Sequence, residues 1–274
     1  MNFAVKQYIG VPPEVVIRDF IINKYLSDSP YIVQPLSFSL NNLTFSMELF
    51  MGDITQGTFS MKEKWRMTKD ILKGLFHIHC KNMYHGDLNP KNILFKRDKG
   101  ELRIVLCDFG NTFPLGFGTS GRCTKLFSPL DTKLGIPLDI YSFGKTLLHI
   151  WSDGGDIKRY GNKEGGNREW KNENRKYLSL DFIPKKIEDC IKLCLNVNAN
   201  HRPTSKWLLQ FFGIKINIEE MANKYRKDNI CYMGGEELEY IHRVISRGRC
   251  VILPEETEKL EKIACLDETY FPKI

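Results

Sequence analysis

The sequence predicts an α+β fold, because strand patterns and helical patterns both occur along its 274 residues. Residues 3–8 alternate in polarity and are rich in strand-forming side chains. The apolar runs 93–95 and 104–106 enclose a polar, turn-prone stretch, which indicates a hairpin of two short strands. Residues 67–79 carry apolar side chains at helical spacing, which indicates a helix with one buried face.

Three further elements follow from the same patterns. Residues 15–26 run amphipathically behind Pro12 and Pro13, and proline is tolerated in the first turn of a helix. Residues 43–50 have the pattern of a strand that leads into a linker. Residues 139–151 indicate another apolar helix.

The most informative stretch runs from His85 to Asn92 and is followed by Asp108, Phe109 and Gly110. A carboxylate such as Asp87 can hold an acceptor hydroxyl and take its proton, while the amide oxygen of Asn92 and the carboxylate of Asp108 suit Mg²⁺. The predicted hairpin would bring these two ligands side by side onto one metal ion. The spacing therefore predicts phosphoryl transfer from a metal-bound nucleotide.

This segment resembles the catalytic loop and metal-binding motif of the eukaryotic protein kinase family, which usually reads His-Arg-Asp-Leu-Lys-x-x-x-Asn and then Asp-Phe-Gly. The helix at 67–79, the Asp-Ile-Tyr-Ser-Phe-Gly at 139–144 and the His-Arg-Pro-Thr at 201–204 extend the resemblance over roughly residues 3 to 210. It implies a two-lobed protein-kinase-like fold, ATP and Mg²⁺ as cofactors, and a protein as substrate.

The resemblance divides the chain into three parts. Residues 1–50 are expected to form a reduced N-lobe and hinge that lacks the family's first two strands and its Gly-rich loop. Residues 51–212 are expected to form a mostly helical C-lobe, with a basic insertion at about 153–177. Residues 213–274 are expected to form a helical C-terminal extension that docks on the core or binds a partner. Because the missing loop normally covers the phosphates, we expect weaker nucleotide binding unless another segment covers them.

The resemblance assigns nucleotide-binding roles near the start of the chain. Lys6 matches the lysine that contacts the phosphates, and Asp19 matches the carboxylate that pairs with it, with Glu14 as the rival. Asp108 is also assigned to nucleotide binding, because the matching residue of the family holds the metal ion that bridges the phosphates.

The strand at 43–50 resembles the kinase hinge. Met47 would occupy the gatekeeper position, and Glu48 and Phe50 would offer main-chain atoms to adenine. An ordinary buried strand and turn would have the same composition, so this assignment depends on the order of the motifs.

Further roles concern the C-lobe. Lys91 would neutralise charge on the transferred phosphoryl group, or be a solvated loop lysine. Asp139 would cap the backbone of the catalytic loop, and Arg202 matches an arginine that pairs with a glutamate in the family's Ala-Pro-Glu motif. Leu130 replaces that glutamate, which leaves Asp131 as a possible substitute.

Two departures affect the catalytic loop. Gly86 stands where the family has an arginine that reads a phosphate on the activation segment, so we expect no activation by phosphorylation of Thr119, Ser120 or Thr124. Asn89 replaces the lysine that is usual in Ser/Thr kinases. Both changes also make the loop resemble that of aminoglycoside-type small-molecule kinases.

Three functions therefore stay open. The main hypothesis is ATP- and Mg²⁺-dependent transfer to Ser or Thr hydroxyls of proteins, with Asp87, Lys91 and Asn92 as catalytic residues and Asn92 and Asp108 as metal ligands. The first alternative is a pseudokinase scaffold with weak or no catalysis, and the second is a small-molecule kinase. The frequent Lys, Asn and Ile are typical of an AT-rich genome, such as that of a large DNA virus or a parasite.

Composition limits the remaining classes. No apolar run is long enough to span a membrane and no signal peptide is visible, so we expect an intracellular, cytoplasmic protein (host cytoplasm or virion if viral). Cys107, Cys190 and Cys194 lie in apolar periodic segments and are expected to be buried thiols. The net charge is +7, but the basic stretch 158–176 has the composition of a solvated loop, so a nucleic-acid partner is not expected.

Overall fold

The computed structural model describes residues 3–39, 42–116, 124–129, 134–153 and 183–215. Most of the predicted basic insertion and of the C-terminal extension lies outside these ranges, as do Thr119, Ser120, Leu130 and Asp131. The strands are β1 (Phe3–Gln7), β2 (Pro35–Ser39), β3 (Thr44–Glu48), β4 (Gly52–Asp53), β5 (Met83–Tyr84), β6 (Ile93–Asp98), β7 (Glu101–Leu106) and β8 (Phe113–Pro114). The helices are α1 (Pro13–Leu26), α2 (Met61–Cys80), α3 (Ile136–Trp151), α4 (Lys185–Cys194) and α5 (Ser205–Phe211). These elements confirm the predicted α+β class.

The smaller layer is an antiparallel sheet with strand order β1-β3-β2, and helix α1 packs against it. The ring of Phe20 on α1 stacks on Phe38 of β2 with centroids 4.7 Å apart, and Phe45 of β3 lies beside them. Lys6 on β1 is paired in register with Phe45. This packing fixes the position of α1 relative to the strand that carries Lys6.

The larger layer is helical and is centred on α2 and α3. Helix α2 begins six residues before the predicted start, because Ser60 and Glu63 form a capping box at its N-terminus. Nearly every position of α3 is buried, so it is a central core helix. Gly144 on α3 permits close packing, since a Cβ there would lie 2.7 Å from the Cβ of Cys194 on α4.

The predicted hairpin is present and is longer than its apolar runs. Strands β6 and β7 pair in continuous antiparallel register from Ile93↔Leu106 to Asp98↔Glu101. Lys99 and Gly100 form the turn, with φ of +49° and +82°, which matches the two-residue turn that suits the twist of a hairpin. The polar residues at the turn carry no apolar periodicity, which explains why the strand ends were not predicted.

The described cysteines are free thiols, as predicted. Cys190 and Cys194 are buried on α4, as predicted, with their sulfur atoms 3.9 Å apart, whereas Cys107 was predicted to be buried and is half-buried. None of the helices within the described ranges is both long and apolar enough to cross a membrane.

Candidate active site

The centre of the site is an ion-pair network that joins the two layers. The Nζ atom of Lys6 lies 2.6 Å from Asp19 Oδ2 and 2.9 Å from Asp108 Oδ1. Asp19 is fully buried on α1, whereas the side chain of Asp108 is 44% exposed. Lys6 therefore connects a buried carboxylate to one that is open to a ligand.

The charges in this network hold Lys6 in its protonated form. Burial alone would lower the pKa of Lys6, but the carboxylates of Asp19 and Asp108 outweigh it and raise this pKa far above its usual value. The Tyr8 hydroxyl donates a hydrogen bond to Asp19 Oδ2, and burial together with the charge of Asp19 raises the pKa of Tyr8. A permanently charged ammonium beside Asp108 suits the binding of phosphate.

Helix α1 also holds the backbone around Asp108. Asp19 Oδ1 accepts a hydrogen bond from the Phe109 N–H at 2.7 Å, and the Arg18 guanidinium donates to the Gly110 carbonyl. The guanidinium carbon lies 4.6 Å from the ring centroid of Phe113. Asp108 itself has a φ of +66°, a left-handed conformation that costs a residue with a Cβ about 1–2 kcal/mol. The contacts on both sides maintain this conformation.

Asp139 holds the backbone of the catalytic loop in place. It is fully buried and accepts hydrogen bonds from the N–H of His85 at 2.7 Å and of Gly86 at 2.9 Å. The ring of His79 lies within 3.0 Å of Asp139 Oδ2 and 2.8 Å of Ser205 Oγ, which links the loop to α5. Both loop N–H groups are thus satisfied inside the core, where unpaired donors would be destabilising.

Gly86 has a structural reason for lacking a side chain. Its φ is +80°, and a Cβ at this position would lie closer than 3.0 Å to the carbonyl oxygen of Asn111. The family usually has an arginine at this position, and an arginine here would require the backbone to move.

Asp87 is held between two segments. Its Oδ1 accepts the Thr124 N–H at 2.7 Å, and its backbone carbonyl accepts the Asn92 amide at 2.8 Å. The same Asn92 nitrogen lies 3.4 Å from Asp87 Oδ2. Asn89 links these parts further, since its amide donates to the Asp87 carbonyl and to Thr124 Oγ1.

The hairpin brings Asn92 and Asp108 to one end, as the spacing predicted. The Cys107 N–H donates to the Asn92 carbonyl at 3.0 Å, so Asp108 follows directly after a residue bonded to Asn92. Because the Asn92 amide nitrogen is engaged by Asp87, its oxygen is the atom left for a cation. The described residues contain no cluster of three His, Cys, Asp or Glu side chains with metal-binding geometry. A carboxylate and an amide oxygen do fit Mg²⁺, which usually takes its other ligands from phosphates and water.

The predicted hinge residues lie on β3 and just after it. Met47 is half-buried against the core, and the carboxylate of Glu48 pairs with Lys96 and with Arg103, the latter at 2.8 Å. Both cations lie 5.7 Å from the ring centroid of Phe50. The Glu48 side chain is thereby committed to β6 and β7, and its backbone N–H donates to the Gln34 carbonyl at 3.4 Å.

Two predicted residues lie outside this cluster. Lys91 is exposed on a single 3₁₀ turn, residues Pro90–Asn92. Arg202 donates to the carbonyls of Asn196 at 2.9 Å and Pro137 at 3.0 Å, and its guanidinium carbon lies 4.9 Å from the Tyr141 ring centroid. Arg202 thus ties the loop before α5 to the start of α3.

Several site residues were not predicted from the sequence: Tyr8, Arg18, Thr124 and Arg103. A signal existed for Tyr8, because it lies two residues after Lys6, just beyond the end of β1, and so points to the same side when the extended backbone continues. The other three act through contacts with residues that are distant in sequence, and no local pattern marks them.

Comparisons of the sequence with known proteins find protein kinases. A family model described as "protein kinase domain" matches residues 6–212. The chain is 27% identical over 225 residues to mitogen-activated protein kinase kinase kinase 8 of Rattus norvegicus, which covers 72% of this chain and 44% of that protein. It is 25% identical over 165 residues to the membrane-associated tyrosine- and threonine-specific cdc2-inhibitory kinase wee-1.1 of Caenorhabditis elegans, covering 56% and 34% of the two chains. It is 27% identical over 175 residues to the serine/threonine-protein kinase sid1 of Schizosaccharomyces pombe, covering 61% and 35%. The chain thus spans less than half the length of each of these relatives.

Proposed function

The chain belongs to the protein kinase family, and we propose that it transfers the terminal phosphoryl group of ATP to Ser or Thr hydroxyls of protein substrates. The observation that carries this proposal is the position of Lys6, whose ammonium contacts both the buried Asp19 and the exposed Asp108. A protonated lysine beside a metal-ligating carboxylate is what the phosphates of a metal-bound nucleotide require.

Each residue has a defined task in this proposal. Lys6 binds the nucleotide phosphates, and Asp19 and Tyr8 keep its ammonium in place. Asn92 and Asp108 would hold Mg²⁺, which neutralises charge on the phosphates when it is bound. Asp87 accepts the proton of the acceptor hydroxyl as the hydroxyl oxygen attacks the γ-phosphorus of ATP, and the bond from that phosphorus to the bridging oxygen breaks to release ADP.

The segment that contains Thr124 borders the acceptor side. The Thr124 N–H donates to Oδ1 of Asp87, and Oδ2, which lies 3.4 Å from the Asn92 amide nitrogen, is the oxygen that would accept the substrate hydroxyl. Asn89 ties Thr124 to the catalytic loop, so the segment and Asp87 are aligned with each other. The names of the relatives include serine, threonine and tyrosine as acceptors. An experiment is therefore needed to identify which hydroxyl this chain phosphorylates.

The test is transfer of labelled phosphate from ATP with Mg²⁺ to a panel of proteins, followed by identification of the labelled amino acid. We expect phosphoserine or phosphothreonine, and a loss of about 10²–10⁴-fold in rate for Asp87→Asn. Asp98→Asn is the matched control, because Asp98 is exposed at the far end of the β6–β7 hairpin. Full activity of Asp87→Asn would reject its role, and labelling of tyrosine alone would reject the acceptor class.

A scaffold without catalysis is the second candidate. It is favoured by Gly86, whose backbone excludes the family's arginine. Binding of Mg·ATP separates the two functions. A ligand at a hundred times its Kd adds about 2.7 kcal/mol of stability, so the proposed kinase should show a clear rise in Tm. No rise at millimolar Mg·ATP would favour the scaffold.

A further inference from the structure

A groove lies along helix α2, apart from the catalytic residues. It is bounded by the first half of α2, by Pro30 and Tyr31, and by Arg103 and Ile104 of β7, and its volume is about 630 Å³. None of the residues proposed above for nucleotide binding or catalysis lines it. A volume of this size is typical of a ligand-binding cleft.

The groove is strongly basic. Lys62, Arg66, Lys69 and Lys73 recur on α2 at spacings of four, three and four residues, which puts them on one face of the helix. Arg103 of β7 also lines the groove. A single carboxylate, Asp70, lies among these cations in the lining.

The local carboxylates do not balance this charge. Arg66 and Lys73 share Asp70, at 3.6 and 3.3 Å, and Arg66 also pairs with Glu101 at 3.2 Å. Lys62 and Lys69 are both exposed, and neither forms an ion pair within the described part of the chain. The groove therefore presents two uncompensated ammonium groups to a ligand, and electrostatic complementarity favours an anionic one.

Aromatic side chains also line the groove, and neighbouring side chains hold them in place. Trp65 packs edge-on against Trp151 at 5.3 Å between centroids and against Phe212 at 6.3 Å, so its ring is held in place. Tyr31 is also restrained, because its hydroxyl accepts a hydrogen bond from Lys73 at 3.0 Å. Restrained aromatic side chains beside polar groups are typical anchors for protein ligands.

We propose that this groove docks an acidic linear segment of another protein, in which Asp or Glu residues flank an apolar side chain. The carboxylates would meet Lys62 and Lys69, and the apolar side chain would contact Trp65. A polynucleotide fits less well, since its continuous phosphate charge would meet Asp70 and gain little from the aromatic lining residues. Docking here leaves the catalytic cleft free, so a bound protein could still present a hydroxyl to Asp87.

The test uses the full chain and a fluorescently labelled twelve-residue peptide of Asp and Glu with one central Leu. Binding is followed by fluorescence anisotropy at two salt concentrations. We expect saturable binding that weakens with salt, and an affinity at least ~10-fold lower in the double variant Lys62→Glu, Lys69→Glu. Arg103 is left unchanged in this test, because it also pairs with Glu48 beside the hinge.

The matched control is Lys99→Glu with Lys206→Glu, which lowers the net charge equally at exposed lysines outside the groove. Thermal unfolding of both double variants checks that each is folded. Equal losses of affinity in both variants would overturn the proposal, because net charge alone would then explain binding. It would also be overturned if the peptide does not bind, if single-stranded RNA binds the same groove more tightly, or if the groove variant instead changes self-association of the chain. This outcome is independent of catalysis, so its failure leaves the proposed function untouched.

Discussion

Replacement of Gly86 by alanine is predicted to destabilise the protein through a backbone clash in the catalytic loop. The φ of +80° costs an alanine about 1–2 kcal/mol, as at any left-handed position. In addition, the new Cβ would overlap the carbonyl oxygen of Asn111, a backbone atom that cannot rotate away. Overpacking of this kind typically costs a further ~1–3 kcal/mol. The expected total is therefore about 2–5 kcal/mol of unfolding free energy.

Gly100→Ala is a matched control because it has the same backbone conformation without the clash. Its φ is +82°, and a Cβ there would have no atom within 4 Å. Only the conformational cost of about 1–2 kcal/mol should remain. The difference between the two variants measures the steric term alone.

The assay is urea denaturation followed by tryptophan fluorescence, with the free energy extrapolated to water. We expect Gly86→Ala to lose at least ~1 kcal/mol more than Gly100→Ala. Gly86→Arg should be at least as destabilised as Gly86→Ala, and it should not create a phosphate sensor. Equal losses for the two alanine variants would refute the reasoning that Asn111 excludes a side chain at Gly86.

Two further predictions concern buried polar groups. Tyr8→Phe removes the hydrogen bond to Asp19 and should raise the KM for ATP about threefold to tenfold, measured by steady-state kinetics, while Tyr31→Phe, away from the site, should not. Burial lowers the pKa of Lys145 to about 8 from 10.5. Between pH 8 and 10.5, Lys145 is therefore protonated more often in the unfolded chain than in the folded protein. Its contribution makes the free energy of unfolding rise with pH above about 8. Lys145→Met should remove that contribution, seen as a smaller difference in unfolding free energy between pH 7.5 and 9.5, and an identical pH dependence in both proteins would contradict the burial argument.

The parts of the fold that could be predicted from the sequence are those set by local periodicity. The hairpin follows from two apolar runs, and it places Asn92 beside Asp108 because antiparallel strands return the chain to the same end. The start of α2 was missed although its capping signal, Ser60 with Glu63, is present in the sequence. Signals of this kind depend only on residues that are close together in the sequence, so they can be recognised without the structure.

Other features depend on contacts across the fold. A helical pattern predicts the place of Asp19, but its hydrogen bond from the Phe109 N–H joins residues 90 apart in the sequence. The pairing of Glu48 with Arg103 spans 55 residues and has no local signature. The exclusion of a side chain at Gly86 depends on where Asn111 lies, which sequence spacing does not reveal. The basic face of α2 is visible as a spacing of lysines and arginine, but its role as a groove wall requires the position of β7.

The most direct test of the account is the affinity of the chain for ATP in the presence of Mg²⁺, measured by calorimetry for the wild type and for Asp108→Asn. If Lys6, Asn92 and Asp108 form one nucleotide–metal site, the wild type binds and the variant loses most of the Mg²⁺-dependent part of the affinity. The same Mg²⁺-dependent affinity in both proteins would contradict the account.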